Sequence, residues 1–296
     1  AVPRIVEIGS SGIKKVLNLG YGSGKYFDVK DDVFVFTLEM PDVRWEQLSE
    51  SSIYAYDAAK GFERRITRGG SYYSPVLNSN KTIIAAAEVS DKNDYNIALI
   101  NFENGALIRR LPNPDNAYII TPQWNDDGSR LVYIKVTSQG KVLAISDLTT
   151  ETVLFESKNI DIKHPMVKND TVYFVGDWSG IENIYALPLS GGEPKRLSNS
   201  RFGAVSPVSN EKSLCYLDYD YKGNFVADLP RTSWLGEPLN LVKDNSIKLY
   251  EKLAEQELGG IDFAIEDTIE IEKKSYSKLW HQFNFHSWMP GVGYPL

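Results

Sequence analysis

The residues of this chain able to do chemistry are few. Of three histidines, His281 and His286 lie five positions apart, a spacing that sends them to opposite faces of a strand and argues against a two-histidine metal site. His164, just before Pro165, reads as a satisfied loop or core histidine. The single cysteine, Cys215, forbids an intrachain disulfide, and its neighbours Leu214 and Tyr216 suggest a buried structural thiol. Carboxylates pair at Asp31-Asp32, Asp126-Asp127 and Asp218-x-Asp220. Converging carboxylates can act as acid and base, but the first two pairs fall in tight turns, where Asp supports the backbone. Asp218 and Asp220, with Tyr219 and Tyr221, fall in a loop equivalent to Asp177-Trp178, where a glycan or cation site would be placed. No His-Glu-x-x-His occurs, and no nucleophile elbow sits between strand and helix. Gly20-Tyr21-Gly22-Ser23-Gly24-Lys25 has the look of a phosphate loop, but Leu19 stands where the first glycine belongs and no helix is expected after it. The sequence therefore implies no metal and no cofactor.

The elements that hold these residues repeat. Pro75, Pro122, Pro165 and Pro207 each precede a polar turn and a strand-like run, at spacings of 47, 43 and 42 residues. The runs are 83–87, 131–134, 172–175 and 214–217, and Val29–Phe36 parallels Val167–Phe174 as an earlier copy without the proline. A second set of runs begins at Ile53, Ile97, Val142, Ile184 and Phe225, spaced by 44, 45, 42 and 41 residues. Most are followed by a turn and a further β-rich stretch, as at Ser190-Gly191-Gly192-Glu193. Each unit is thus expected to hold four strands. Such a period, with almost no helical periodicity over 1–243, predicts an all-β β-propeller, because a lone four-stranded sheet cannot bury both faces. A β-sandwich is the weaker alternative, since it would not give a strict four-strand period.

The ends differ from the repeats. Residues 1–18 match only the outer half of a blade, and 261–265 with 268–271 alternate with period two, so these strands are expected to complete a shared sixth blade. Between them, 246–258 reads as a short amphipathic helix stopped by Gly259-Gly260. Domains are expected over 1–243 (propeller) and 244–296 (acidic helix, possible closing strands, aromatic tail).

Trp124-Asn125-Asp126-Asp127-Gly128-Ser129-Arg130-Leu131-Val132-Tyr133 resembles the aromatic, Ser-Pro-Asp-Gly, apolar-strand signature of TolB-type propeller repeats, which are WD40-like. The run from Asp177 to Leu197 resembles the second half of the same repeat. The resemblance spans about 20–243 and implies six blades; it departs from the pattern at Asn78-Ser79-Asn80-Lys81 and Asn210-Glu211-Lys212, where the Asp-Gly turn is missing. Tyr276 to Pro290, with Phe285-His286-Ser287-Trp288, resembles the junction after the propeller in large envelope proteins of the Bacteroidetes type, which leads toward an outer-membrane barrel. An aromatic strand capping the propeller is the alternative reading of that stretch.

Charge narrows the partners. The net charge is -7, and residues 244–272 carry nine Asp or Glu against Lys248 and Lys252, which leaves the rest neutral. Without a basic field, nucleic-acid binding loses its main electrostatic drive. There is no apolar run long enough for a membrane-spanning helix, and Ala1-Val2-Pro3-Arg4 lacks the apolar core of a secretory signal. The function expected is a non-enzymatic module that binds or scaffolds a protein or envelope polymer, in the periplasm or at the cell surface of a bacterium, as part of a larger membrane-anchored protein. Its rim would carry Tyr72, Tyr73, Tyr118, Arg201 and Phe202 on inter-blade loops, with Asp177, Trp178, Asp218 and Asp220 beside them. A carbohydrate-active or peptidase-associated propeller hydrolase stays open, and two carboxylates converging in the channel would favour it.

Overall fold

The computed structural model describes residues 3–9, 12–19, 23–42, 49–210 and 212–248, together with 251, 253 and 256. The chain divides into two compact units, Ala1–Ile247 and Lys248–Leu296, and the fold below is that of the first. In the second unit Glu251, Leu253 and Gln256 have helical backbone, and the expected closing strands and aromatic tail lie outside the described residues.

The first unit opens with an antiparallel hairpin, β1 (Arg4–Gly9) and β2 (Gly12–Asn18). Blade I follows with β3 (Ser23–Lys30), β4 (Val33–Pro41), β5 (Ser49–Asp57) and β6 (Phe62–Arg65). Blade II holds β7 (Tyr72–Leu77), β8 (Ile83–Val89), β9 (Tyr95–Asn101) and β10 (Leu107–Arg110). Blade III holds β11 (Tyr118–Trp124), β12 (Leu131–Thr137), β13 (Gly140–Ser146) and β14 (Glu151–Ser157). Blade IV begins with β15 (Ile162–Lys168), β16 (Thr171–Gly176), β17 (Asn183–Pro188) and β18 (Lys195–Arg196). Blade V has only β19 (Ala204–Ser209), β20 (Ser213–Asp220) and β21 (Gly223–Pro230). Within every blade consecutive strands are neighbours, the meander of a propeller rather than the crossovers of a sandwich.

Two expectations are corrected. The described residues form five blades and a two-stranded hairpin rather than six blades. Among the described residues blade V has no fourth strand: after β21 the chain turns through Arg231–Ser233, and β22 (Glu237–Pro238) pairs with β18 as a fifth strand of blade IV. Trp234 fixes that return. Its ring meets Tyr173 of blade IV edge-on at 5.9 Å, its Nε1 donates to the Leu229 carbonyl, and Arg196 pairs with Glu237 at 2.5 Å.

Blades bury both faces, so their middle strands read as unbroken apolar runs. Ile84-Ala85-Ala86-Ala87 and Leu131-Val132-Tyr133-Ile134 are all buried, split between the cores on either side. At the far ends, turns latch neighbouring blades. The Asp28 carboxylate accepts from the Leu77 N–H at 2.8 Å, Lys81 pairs with Asp31 at 2.7 Å, and Asp126 accepts from Asn169 N–H at 2.7 Å and Lys168 at 3.1 Å. Asp31 and Asp126 are therefore structural, as members of turns that tie one blade to the next. Where the Asp-Gly turn is missing, an Asn closes it: Asn78 Oδ1 accepts from the N–H groups of Thr82 and Ile83, and Asn210 Oδ1 from those of Lys212 and Ser213. The stretch that looked like a phosphate loop runs into strand β3, not a helix.

The four prolines sit inside the innermost strands. Each coincides with a register shift, between Tyr73/Val76, Ile120/Gln123, Lys163/Met166 and Val205/Val208. Proline cannot donate to the ladder, so a bulge is where a strand tolerates it. The preceding residue is left-handed every time: Ser74 (φ 47°), Thr121 (φ 48°), His164 (φ 51°) and Ser206 (φ 54°).

Candidate functional site

The inner strands of blades I to III surround a cavity of about 310 Å³. Tyr26 of β3, Tyr73 of β7 and Tyr118 of β11 each stand near the start of an inner strand, while Glu39 and Val89 stand near the ends of β4 and β8. The cavity thus opens on the side where the inter-blade loops gather. Its floor includes the two bulge residues Ser74 and Thr121. Thr121 is 7% exposed, and its Oγ1 is buried without a hydrogen-bond partner. Burial raises the Tyr73 hydroxyl pKa, and the charge of Glu39 adds to it. Among the described residues lining the cavity, Glu39 carries the one formal charge, and no second carboxylate faces it.

On the same side, blades III and IV carry charges that answer one another. Lys141 pairs with Asp161 and Lys163 with Glu182. His164 lies among these four; burial, then the Lys163 charge, holds its pKa below the usual histidine value, and its Nδ1 is buried without a partner. Its ring lies 6.4 Å from that of Tyr26, so blades I and IV approach each other through these two side chains. Asp177 also leaves Oδ1 buried and unpartnered, and burial, reinforced by Asp161 and Glu182, raises its pKa.

The residues expected at a rim are dispersed by the fold. Tyr73 and Tyr118 line the cavity, Tyr118 with its ring edge-on to Tyr95 at 5.2 Å. Tyr72, one residue from Tyr73, packs on the core between blades I and II, and its hydroxyl faces Glu88, which Arg110 holds at 2.5 and 2.9 Å. Trp178 packs on Tyr185 at 4.8 Å and on Phe155 and Phe174, and it occupies the space a Cβ on Gly176 would need. Asp218 accepts from the Ser200 hydroxyl at 2.5 Å, and the same hydroxyl accepts from the Gly203 N–H, so this carboxylate braces the loop into blade V. Asp220 closes a turn by accepting from Lys222 N–H. Arg201 and Phe202 remain as an exposed pair, the guanidinium 5.1 Å from the ring. Cys215 is half-buried rather than a core thiol, 3.3 Å from Asp228 Oδ1, and burial raises its pKa.

Sequence reasoning did not single out Tyr26, Glu39, Ser74 or Thr121, and it assigned His164 a satisfied role that the unpartnered Nδ1 corrects. The available signal was the polar residue before each repeating proline. Among the described residues no group of three or more His, Cys, Asp or Glu could hold a metal ion. No helix there is long and apolar enough to cross a membrane.

Sequentially ordered blades around a channel, with bulged inner strands, define a TolB-like β-propeller. Among solved structures the chain is similar to a TolB from Agrobacterium tumefaciens described as putative, with a TM-score of 0.61 and 14% identity over 78% of this chain and 85% of that one. It is also similar to an oligogalacturonate lyase in complex with manganese (TM-score 0.56, 12% identity, 80% and 72% covered) and to TolB from Acinetobacter baumannii (TM-score 0.53, 13% identity, 76% and 58% covered). No family model and no curated protein matches the sequence. At such identities the likeness defines the fold alone.

Proposed function

We propose that this chain is a non-enzymatic binding module of a bacterial cell envelope, which holds a segment of a protein or polymer at the mouth of its propeller channel. The observation that carries the reading is the cavity built from three blades, with tyrosines at its rim and one carboxylate among the described lining residues. Tyrosine supplies broad contact area at low entropic cost, whereas acid/base cleavage of a glycan calls for a second carboxylate within reach. The envelope setting is supported by the resemblance of residues 276–290 to a propeller-to-barrel junction.

Ring closure belongs to the same proposal. The face of blade V turned from blade IV is apolar, with Val208 62% exposed beside Leu217, Tyr219 and Val226. The face of blade I turned from blade II carries Phe27, Phe34, Tyr54 and Tyr56. A sheet that includes β1 and β2 would cover both.

The test is photo-crosslinking in cells from a benzophenone amino acid at Tyr118, with position Lys81 at the opposite end of the blades as control, alongside lyase, glycosidase, esterase and peptidase assays of the purified chain. Adducts from 118 and not from 81, without turnover, are expected. The second reading, a carbohydrate-active enzyme, draws on the opposed pKa shifts of Asp177 and His164. Turnover abolished by Asp177→Asn, Asp218→Asn or His164→Gln would establish it and overturn the first.

A further inference from the structure

The cavity makes a more specific demand than a generic binding rim. A β-branched threonine in the left-handed region is conformationally costly, and strain of this kind persists where the surrounding structure imposes it, often at ligand sites. Thr121 lines the cavity in this conformation, 7% exposed, and its Oγ1 is buried with no partner in the protein.

Charge selects the sign of that ligand. Glu39 is the one charged group among the described residues that line the cavity, and its charge disfavours an anion there and favours a cation. Tyr26, Tyr73 and Tyr118 line the cavity, and the quadrupole of an aromatic ring favours a cation over a neutral group of equal size. Apolar wall from Ala87, Val89, Ile119 and Ile120 suits a methylene stem. The volume, about 310 Å³, is at the small end of ligand sites and fits one side chain or a small amine.

We propose that this cavity receives a primary ammonium group on an aliphatic stem, with Glu39 and the three tyrosines holding the charge. The inference rests on the binding-module reading and names the ligand chemistry of that site. The stem is either a lysine-type side chain of a protein partner or a free alkylamine.

The full chain would be titrated by NMR with Nα-acetyl-lysine N-methylamide and with its norleucine counterpart, which keeps the stem and lacks the ammonium. The lysine probe is expected to bind at least about tenfold tighter. Glu39→Gln and Tyr118→Ala should each weaken it several-fold, whereas Tyr118→Phe, which retains the ring, should not. Unchanged melting temperatures of these variants would show that the cavity still folds. Tighter binding of a lysine-containing peptide than of 1,5-diaminopentane assigns the protein source, and the reverse assigns the free amine. Equal binding of the lysine and norleucine probes, while crosslinks from position 118 persist, overturns the ammonium assignment and leaves the binding module standing. Silence of both probes together with loss of the crosslinks overturns both.

Discussion

The two halves of the channel mouth are built from the same repeat and differ in what happens to charge. In blades I to III tyrosines and, among the described lining residues, a single carboxylate surround a cavity lined by Thr121, whose buried hydroxyl has no partner. In blades III and IV, Lys141, Asp161, Lys163 and Glu182 neutralise one another around His164. Thr121 and His164 occupy the same bulge one blade apart, with φ values of 48° and 51°. A repeat thus fixes where a side chain points, and the neighbours brought in by adjacent loops decide whether it faces an open cavity or a salt-bridged wall.

The largest effect that would break this contrast is at Trp178, which on its position alone belongs to the mouth. Because its ring packs on Tyr185, Phe174 and Phe155, Trp178→Ala should cost about 3 kcal/mol in urea unfolding. A stable variant with lost binding would instead move Trp178 into the site. Tyr118→Ala should show the opposite pattern: with 45% of this residue exposed, stability should change little, while partner binding measured by surface plasmon resonance should fall about tenfold. Asp218→Asn is expected to cost about 1 kcal/mol by weakening the bond from Ser200, with binding unaffected.

The smallest effect is a pH dependence from the charged half. His164 has its pKa lowered in the folded protein, mainly by burial, so below the unfolded value near 6.5 the unfolded chain holds more protons than the folded one. The stability associated with neutral His164 should then be lost as pH falls through about 6.5. Denaturant midpoints followed from pH 7.5 to 5 should show a shallower acid loss in His164→Gln than in the parent. Asp177, raised by burial, acts with the opposite sign, its contribution fading as pH rises through its folded pKa, so Asp177→Asn should steepen the acid loss. An unchanged slope in the His164 variant would show that this ring is not insulated as its surroundings require.

Much of the scaffold was legible because it rests on local rules. Strand runs at 83–87, 131–134 and 172–175 lie in β8, β12 and β16. The units remained recognisable without the Asp-Gly turn because Asn78 and Asn210 supply equivalent side-chain caps. The site was legible only in part: Tyr73 and Tyr118, expected on inter-blade loops, stand at the start of the inner strands β7 and β11 and line the cavity, but Tyr72 beside Tyr73 turned into a blade interface, since alternate residues of a strand face opposite ways. Asp218 and Trp178 looked free because their partners, Ser200 and Tyr185, are respectively 18 and 7 residues away in sequence. The missing fourth strand of blade V was hidden because Trp234 finds its pocket on blade IV.

By itself, then, the sequence determined the propeller and its blade units, because a sheet with two apolar faces and a period near 43 residues is stable only when stacked on copies of itself. Only the tertiary structure decided which polar groups end up without a partner. Hydrogen bonds and ion pairs at the channel mouth form between loops of different blades, so the orphaned Thr121 hydroxyl, the lone Glu39 and the paired charges around His164 exist only once the blades are side by side.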